Sequence, residues 1–380
     1  MRQPDRRRSI HGDHCMALKD LALPFAKARR ALALGVLTLA LPCASGAQEY
    51  FDRYGLSPDS PAVDLGVQPL GYPSGVISSV MQRDRLLKKA LAAAKLPLHT
   101  HPFRRGADMV GLLGERRLEA GLLGDMPTLL AASSGSVWIV GLVKQSPTAV
   151  VAKGDTQVAG LAGKRIGYVD ASSAHLTLLQ GLTSAGIGES QVTLVPLGVA
   201  DMPDALQRND IDAFAGWEPA TTIALGKSDR NHIVFKGLTT DYFVIEQSFE
   251  KRHPQAARQI VAGFLRAIEW MRRSPAHLQQ AARWAMADTQ AFSGKPAALS
   301  PAQIAGITRR EILEVPSAPT VLMRPGAPPL KQEFDFLMQM GKLPASGAWS
   351  AVQAAFAYDG LARVLAEAQA FQLRNFDYEN

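Results

Sequence analysis

The run DASSAH at 170–175 sets two hydroxyls and an imidazole between a short apolar stretch, 164–169, and a segment with helical spacing. Leu176, Leu178, Leu179 and Leu182 supply the buried stripe of that helix, and Gly186 ends it. Ser172 or Ser173 serves as the N-cap. No Asp or Glu lies between Ser172 and Gly188, so nothing acidic occupies the free N–H groups and positive dipole end of the first turn. The chemistry that fits is the capture of a small anion by the N–H groups of Ala174 and His175 and the hydroxyls of Ser172 and Ser173. His175 adds a donor, or a positive charge if an anion raises its pKa. The plainer alternative is a cap serine serving only its own backbone, with His175 a half-exposed helical residue.

The surrounding pattern positions these groups. Strands are expected at 164–169, 192–196 and 211–215, with helices between them and a turn Gly216-Trp217-Glu218-Pro219 after the last. Strand, helix, strand, helix, strand implies a parallel sheet whose carboxyl-end loops face one crevice. Ser172, Ser173, His175 and Trp217 would sit on its rim. The same arrangement occurs earlier: a strand at 63–69, a loop through Gln68, Tyr72 and Ser74, and a helix over about 75–95 with Ser74 as cap. Tyr72 and Ser74 are therefore candidates for a facing wall. Further strands at 98–103 and 120–123 follow, the latter stopping at Gly124-Asp125-Met126-Pro127, with Pro127 suited to a first helical position.

Several runs together carry a family likeness: GVQPLGYPSG (66–75), GLLGDMPTLLAAS (121–133), GLAGKRIGYV (160–169), SSAH (172–175), ADMPDALQRNDIDAFAGWEP (200–219) and the return segment 242–249. The chain resembles the periplasmic solute-binding proteins of ABC importers for aliphatic sulfonates, taurine and nitrate, a family that also includes thiamine-precursor binders. The resemblance covers about 62–270. It implies an α/β, two-lobed periplasmic binding protein fold of type II, each lobe a mainly parallel sheet flanked by helices, joined by two hinge crossovers. It also implies a non-catalytic receptor that closes on a small anion and presents it to an inner-membrane ABC permease. Under it, Gln68, Tyr72, Ser74, Asp125 and Met126 join Ser172, Ser173, Ala174, His175, Trp217 and Glu218 around the ligand. For Asp125, capping its own helix and touching ligand are compatible. Trp217 either stacks on a ligand's apolar tail or packs the lobe. Glu218 either favours the dipole of the following helix or faces the cleft, where it would suit an amine-bearing ligand such as taurine.

The expected organisation is a signal peptide at 1–47, a lead-in at 48–61, lobe one at 62–150 and 245–380, and lobe two at 151–244. Crossovers are expected at 148–153 and 242–248. The C-terminal part reads as helices over 254–273, 275–287, 301–313, about 329–341 and 347–370, with a proline-rich connection at 316–329 and a solvated face through Arg266, Glu269, Arg272 and Arg273.

Composition excludes other classes. Of 41 Lys/Arg and 34 Asp/Glu in 380 residues, eight and three fall within 1–47, so most of the formal +7 belongs to the leader. A cationic stretch to Arg30, an apolar run at 31–42 and Ser45-Gly46-Ala47 form a secretory leader cleaved after Ala47, with Met16 an alternative start. That places the mature chain in the periplasm. Pro42 before Cys43 fits a lipid-attachment box poorly, so no anchor is expected. Both cysteines, Cys15 and Cys43, lie in the leader, which removes disulfides, thiolate metal sites and cysteine nucleophiles from the rest. Of eight histidines His11 and His14 lie in the leader, and among the other six only His99 and His101 are close; no zinc spacing, phosphate loop or nucleophile elbow occurs. Dispersed basic residues argue against nucleic acid, although Arg104-Arg105 can raise the potential of a cleft. A monomer without cofactor or metal is expected. The alternatives are a binder of a thiamine-pyrimidine precursor or a biosynthetic enzyme on the same fold, the latter marked by a cysteine cluster that 48–380 lacks.

Overall fold

The computed structural model describes residues 49–379 apart from 59, 316–329, 344–347 and 357. The leader with both cysteines and the proline-rich connection lie outside the described residues.

Eight strands form one sheet: β1 (Val63–Val67), β2 (Leu98–Pro102), β3 (Ala120–Gly124), β4 (Val137–Lys153), β5 (Arg165–Tyr168), β6 (Thr193–Pro196), β7 (Ala213–Gly216) and β8 (Asn231–Glu246). Their order is β2-β1-β3-β8-β4-β7-β5-β6. Within each lobe the outer strands are parallel, β2-β1-β3 and β6-β5-β7. The centre is antiparallel. β4 and β8 pair from Val137 opposite Glu246 to Lys153 opposite Asn231, while β8 also pairs with β3 and β4 with β7. Each long strand thus belongs to lobe one at one end and lobe two at the other, and the lobes share a continuous sheet where two separate ones were expected. The predicted crossovers at 148–153 and 242–248 are the ends of these strands. Pro147 lies inside β4, although a proline has no N–H to give to a ladder. It is tolerated because β4 has β8 as its partner there and meets β7 only from Ala149 onward.

In lobe two the side chains alternate between faces, as period two demands. Val150, Ala152, Ile166, Ala213 and Ala215 enter one core, and Ala149, Val151, Ile211 and Phe214 the other. Lobe one is covered the same way, so its strand β1 is buried throughout.

The expected helix at 75–95 is two helices, Ser74–Met81 and Arg85–Ala93. Asp84 separates them, its Oδ1 capping the second by accepting the Leu87 N–H at 3.0 Å. The same carboxylate corrects another expectation. Arg266, assigned to a solvated face, is 1% exposed; its Nε donates to Asp84 Oδ2 at 2.8 Å and its Nη1 to the Phe371 carbonyl at 2.8 Å. The C-terminal segment folds back over the helix Pro254–Arg273 and brings Tyr378 against Trp270 and Trp284, which isolates the guanidinium from water. Prolines 254, 275 and 301 each stand in the first turn of a helix, where a missing N–H costs nothing. The helix from Pro301 passes at Thr308 into a π-helical turn, Arg309–Leu313. Among the described residues no helix is long and apolar enough to cross a membrane.

Glu119 ties three strands together at the far end of lobe one. Its Oε2 accepts the Asp64 N–H at 2.7 Å, its own N–H donates to the Asp64 carbonyl, and its carbonyl accepts from Glu246. Burial, with the nearby Asp64 and Glu246 charges, pushes its carboxyl up to about 8 despite the Asp64 N–H and Arg252. The folded state therefore holds this proton more tightly than the unfolded chain, and the associated stability is lost as pH rises from about 4.5 to 8. Glu119→Gln keeps the hydrogen-bond acceptor. It should raise the melting temperature at pH 8 and flatten its decline between pH 5 and 8, by on the order of a few kcal/mol of stability; an unchanged profile would show that Glu119 does not carry this proton.

Candidate functional site

The helix Ser173–Ser184 begins as its sequence demands, and the structure decides between the two serines. Ser172 is the N-cap: its Oγ accepts the His175 N–H at 3.2 Å and donates to the Val169 carbonyl at 2.6 Å. At the other end Gly186 takes φ +72°, with Ile187 N–H to Leu182 O and Gly186 N–H to Thr183 O completing a Schellman motif. The Ser172 hydroxyl and the His175 N–H are thus already committed. The N–H groups of Ser173 and Ala174 and the Ser173 hydroxyl make no hydrogen bond among the described residues.

His175 does not line the opening. Its ring is buried between Tyr168 at 4.6 Å and Phe336 at 5.6 Å, with Nδ1 accepting the Ala171 N–H at 3.3 Å and Nε2 without a partner among the described residues. Burial lowers its pKa more than Asp170, 3.7 Å away, raises it, so the imidazole is neutral. The ring is covered because the helix Lys331–Gln339, distant in sequence, delivers Phe336 onto it.

A cavity of about 130 Å³ lies between the lobes, walled by the starts of four helices, at Ser74, Ala107, Asp125 and Ser173, and floored by β4 and β8. Ser172, Ser173 and Trp217 face it from lobe two, and Gln68, Tyr72, Ser74, Asp125 and Met126 from lobe one. The Ala174 side chain is buried behind this wall. Several polar ends on it are occupied. Gln68 Nε2 donates to Leu122 O at 2.6 Å, and the Tyr72 hydroxyl bonds Thr289 Oγ1 at 2.7 Å. Ser74, expected as a cap, is the first residue of its helix after Pro73, and its hydroxyl donates to Asp241. The Tyr72 N–H reaches across the opening to the Glu218 carbonyl at 3.4 Å. The Glu218 carboxylate turns to its own helix, accepting the Thr222 N–H at 3.1 Å and the Thr222 hydroxyl at 2.7 Å. Of the two roles open to Glu218, the geometry selects the helix start. Trp217 packs on the lobe-two core and also faces the cavity.

Asp125, expected to cap its helix, is instead the first helical residue after the N-cap Gly124. Its Oδ1 accepts the Met126 N–H at 2.7 Å, and its Oδ2 is buried with no hydrogen-bond partner among the described residues. Burial, with Glu333 and Asp241 nearby, pushes this carboxyl up to about 7.

The residue that sequence reasoning passes over is Lys144. It stands on β4 directly opposite Asp241 of β8, beside a register shift that re-aims the strand. It is 4% exposed and faces the cavity. Its ammonium makes no hydrogen bond among the described residues and lies 3.6 Å from Asp241 Oδ1. Burial alone would depress its pKa, but Asp241, Glu311, Asp125 and Glu218 together hold it above the usual lysine value, so it is charged. The signal available in the sequence is a lone charge at the end of the apolar run 137–143. Arg105 also reaches the rim, yet its guanidinium is bound to Asp108 at 2.6 Å. Among the described residues no cluster of His, Cys, Asp and Glu is arranged to hold a metal ion.

Residues 114–278 match the family described as NMT1/THI5 like. An aliphatic sulfonates-binding protein of Escherichia coli K12, so named, is 30% identical over 163 residues, covering 41% of this chain. That match spans half of the relative's own length. The taurine-binding periplasmic protein of the same organism is 28% identical over 287 residues, 70% of this chain and 84% of that one. Among solved structures, the alkanesulfonate-binding protein SsuA of Xanthomonas axonopodis pv. citri, bound to MOPS, superposes with a TM-score of 0.59 over 78% of this chain and 99% of that one, at 21% identity. The desulfurization enzyme DszB superposes with a TM-score of 0.54 over 81% and 99%, at 15% identity. The fold is the two-lobed one of periplasmic solute-binding proteins, and it also houses an enzyme.

Ser172→Ala removes both hydrogen bonds of the cap hydroxyl. It should lower stability by about 1 kcal/mol, read as a lower urea midpoint at constant slope; an unmoved midpoint would show that the helix start does not rely on this side chain.

Proposed function

We propose that this chain is the solute-binding component of an ABC importer, which closes on a small oxyanion of the sulfonate class in the periplasm and presents it to a permease. The observation that carries this reading is Lys144: a buried, charged ammonium with no hydrogen bond, in the same enclosure as a helix start whose first N–H groups are free and whose first turn holds no acid. A buried cation in that state has Asp241 as an ion-pair neighbour but no hydrogen-bond acceptor, and an oxyanion supplies one. The N–H groups of Ser173 and Ala174, together with the helix dipole, add directional donors without adding charge. The size of the enclosure suits a solute of few heavy atoms.

Movement is built into the connection. Two antiparallel strands join the lobes, so closure bends one ladder, and the Tyr72 N–H to Glu218 contact joins the two rims when closed. The names of the sequence relatives support the same class, as does the leader expected at 1–47, which would deliver the protein to the periplasm as a monomer without cofactor. A binding role fits better than catalysis. Residues 48–380 contain no cysteine, and the one histidine at the helix start has its ring packed between aromatics, away from Ser172 and Ser173.

The purified protein should gain several degrees of melting temperature when sulfonates are present well above Kd, because a ligand bound only to the folded state stabilises it by mass action. Ser173→Pro removes one N–H and one hydroxyl at a position where proline is compatible with the helix, and Lys144→Met removes the cation. Both should abolish the gain. A gain that survives both variants, or one produced by a thiamine-pyrimidine precursor and by none of the sulfonates or nitrate, would refute the assignment.

A further inference from the structure

Lys144 and the start of the helix Ser173–Ser184 account for one end of the enclosure, but they leave two carboxylates in it unexplained. Asp125 is 1% exposed, and its Oδ2 has no hydrogen-bond partner among the described residues. Asp241 accepts the Ser74 hydroxyl on Oδ2, while its Oδ1 stands 3.6 Å from the Lys144 ammonium, too far for a hydrogen bond. The rim charges do not alter this balance, since Asp170 is held by Lys342 at 2.8 Å and Arg105 by Asp108. A plain anion entering here would join two carboxyl groups, Asp125 and Asp241, around a single cation that already neighbours Asp241. It would also leave the buried Asp125 Oδ2 without a donor, at the full desolvation cost of that group. A solute bearing an ammonium as well as an oxyanion removes both penalties.

Resting on the oxyanion assignment above, we propose that the bound solute is zwitterionic, with Asp125 and the adjacent Asp241 receiving a protonated amine while Lys144 and the helix start hold the oxyanion. Asp125 is then the residue that separates amino-alkanesulfonates from plain alkanesulfonates and nitrate. Glu218, the acid that sequence reasoning names for an amine, is committed to Thr222.

The groups that face Asp125 make its behaviour testable. Glu333 approaches from the helix Lys331–Gln339, Asp241 from β8, Lys144 from β4, and the Met126 N–H from its own helix. In the empty enclosure its carboxyl sits near 7. An ammonium donating to Oδ2 ionises it, so binding releases a proton and affinity rises from pH 6 to 8. Were the carboxyl instead donating its proton to the oxyanion, affinity would fall over the same interval.

Calorimetric titration with 2-aminoethanesulfonate and ethanesulfonate, which differ only by the amine, reads this out. The wild-type protein should favour the amino compound by at least about 10-fold, more at pH 8 than at pH 6. Asp125→Asn, which retains the shape and the acceptor for Met126, should bring the ratio toward one, and Asp241→Asn should also reduce it. The ratio between two ligands on one preparation is not moved by partial misfolding. Equal affinities in the wild type, a full ratio retained by both variants, or affinity falling with pH would overturn the proposal. Binding of neither compound would overturn the oxyanion assignment itself, and this one with it.

Discussion

The hydrogen-bonded ladder between β4 and β8 is the constraint on which the rest of the molecule depends. It is the route by which both strands pass from one lobe to the other, and its register places Lys144 directly opposite Asp241 in the middle of the crossing. Cross-strand neighbours stand close enough to interact, so this pairing puts opposite charges on the floor of the opening whatever the lobes do above it. Lobe one then contributes the helix starts at Ser74 and Asp125, and lobe two those at Ser173 and Ala220, all at the carboxyl ends of parallel strands. The cavity is a product of topology first and of side chains second.

How much of this is legible in the sequence depends on the range of each interaction. The helix Ser173–Ser184 can be read from its own residues because cap, stripe and terminator lie within sixteen positions, and the same locality makes Trp217 visible as a rim residue, whereas Asp125 is placed at the crevice by the family resemblance alone. His175 is misplaced by local reasoning because the ring that covers it, Phe336, is contributed by another part of the chain. Ser74 reads as a cap, yet its hydroxyl is claimed by Asp241, which is 167 positions away. Lys144 is hidden for a different reason: in an apolar strand a lysine reads as an interruption, and Pro147 suggests dividing β4 just past the residues that become its floor.

The C-terminal third is the least legible: the helix expected at 347–370 is two, Trp349–Ala355 and Gly360–Ala366. Its role lies in what it covers. Arg266 looks like a surface residue on a helix rich in charge, but Asp84 and the Phe371 carbonyl enclose it. Breaking a buried pair of this kind costs about 3–5 kcal/mol, so the returning tail is a structural element of lobe one and not an appendage.

The outer face of the helix Ser173–Ser184 shows how the molecule can move. Leu176 and Leu179 rest on the apolar cluster that contains Phe336 and Leu337, and Lys342 holds Asp170 on the same flank. The opposite flank is joined by a single long hydrogen bond from Tyr72 to Glu218. One side of the jaw is greased and broad, the other pinned at a point. Sliding the first while unpinning the second would open the mouth unevenly, on the side of Trp217.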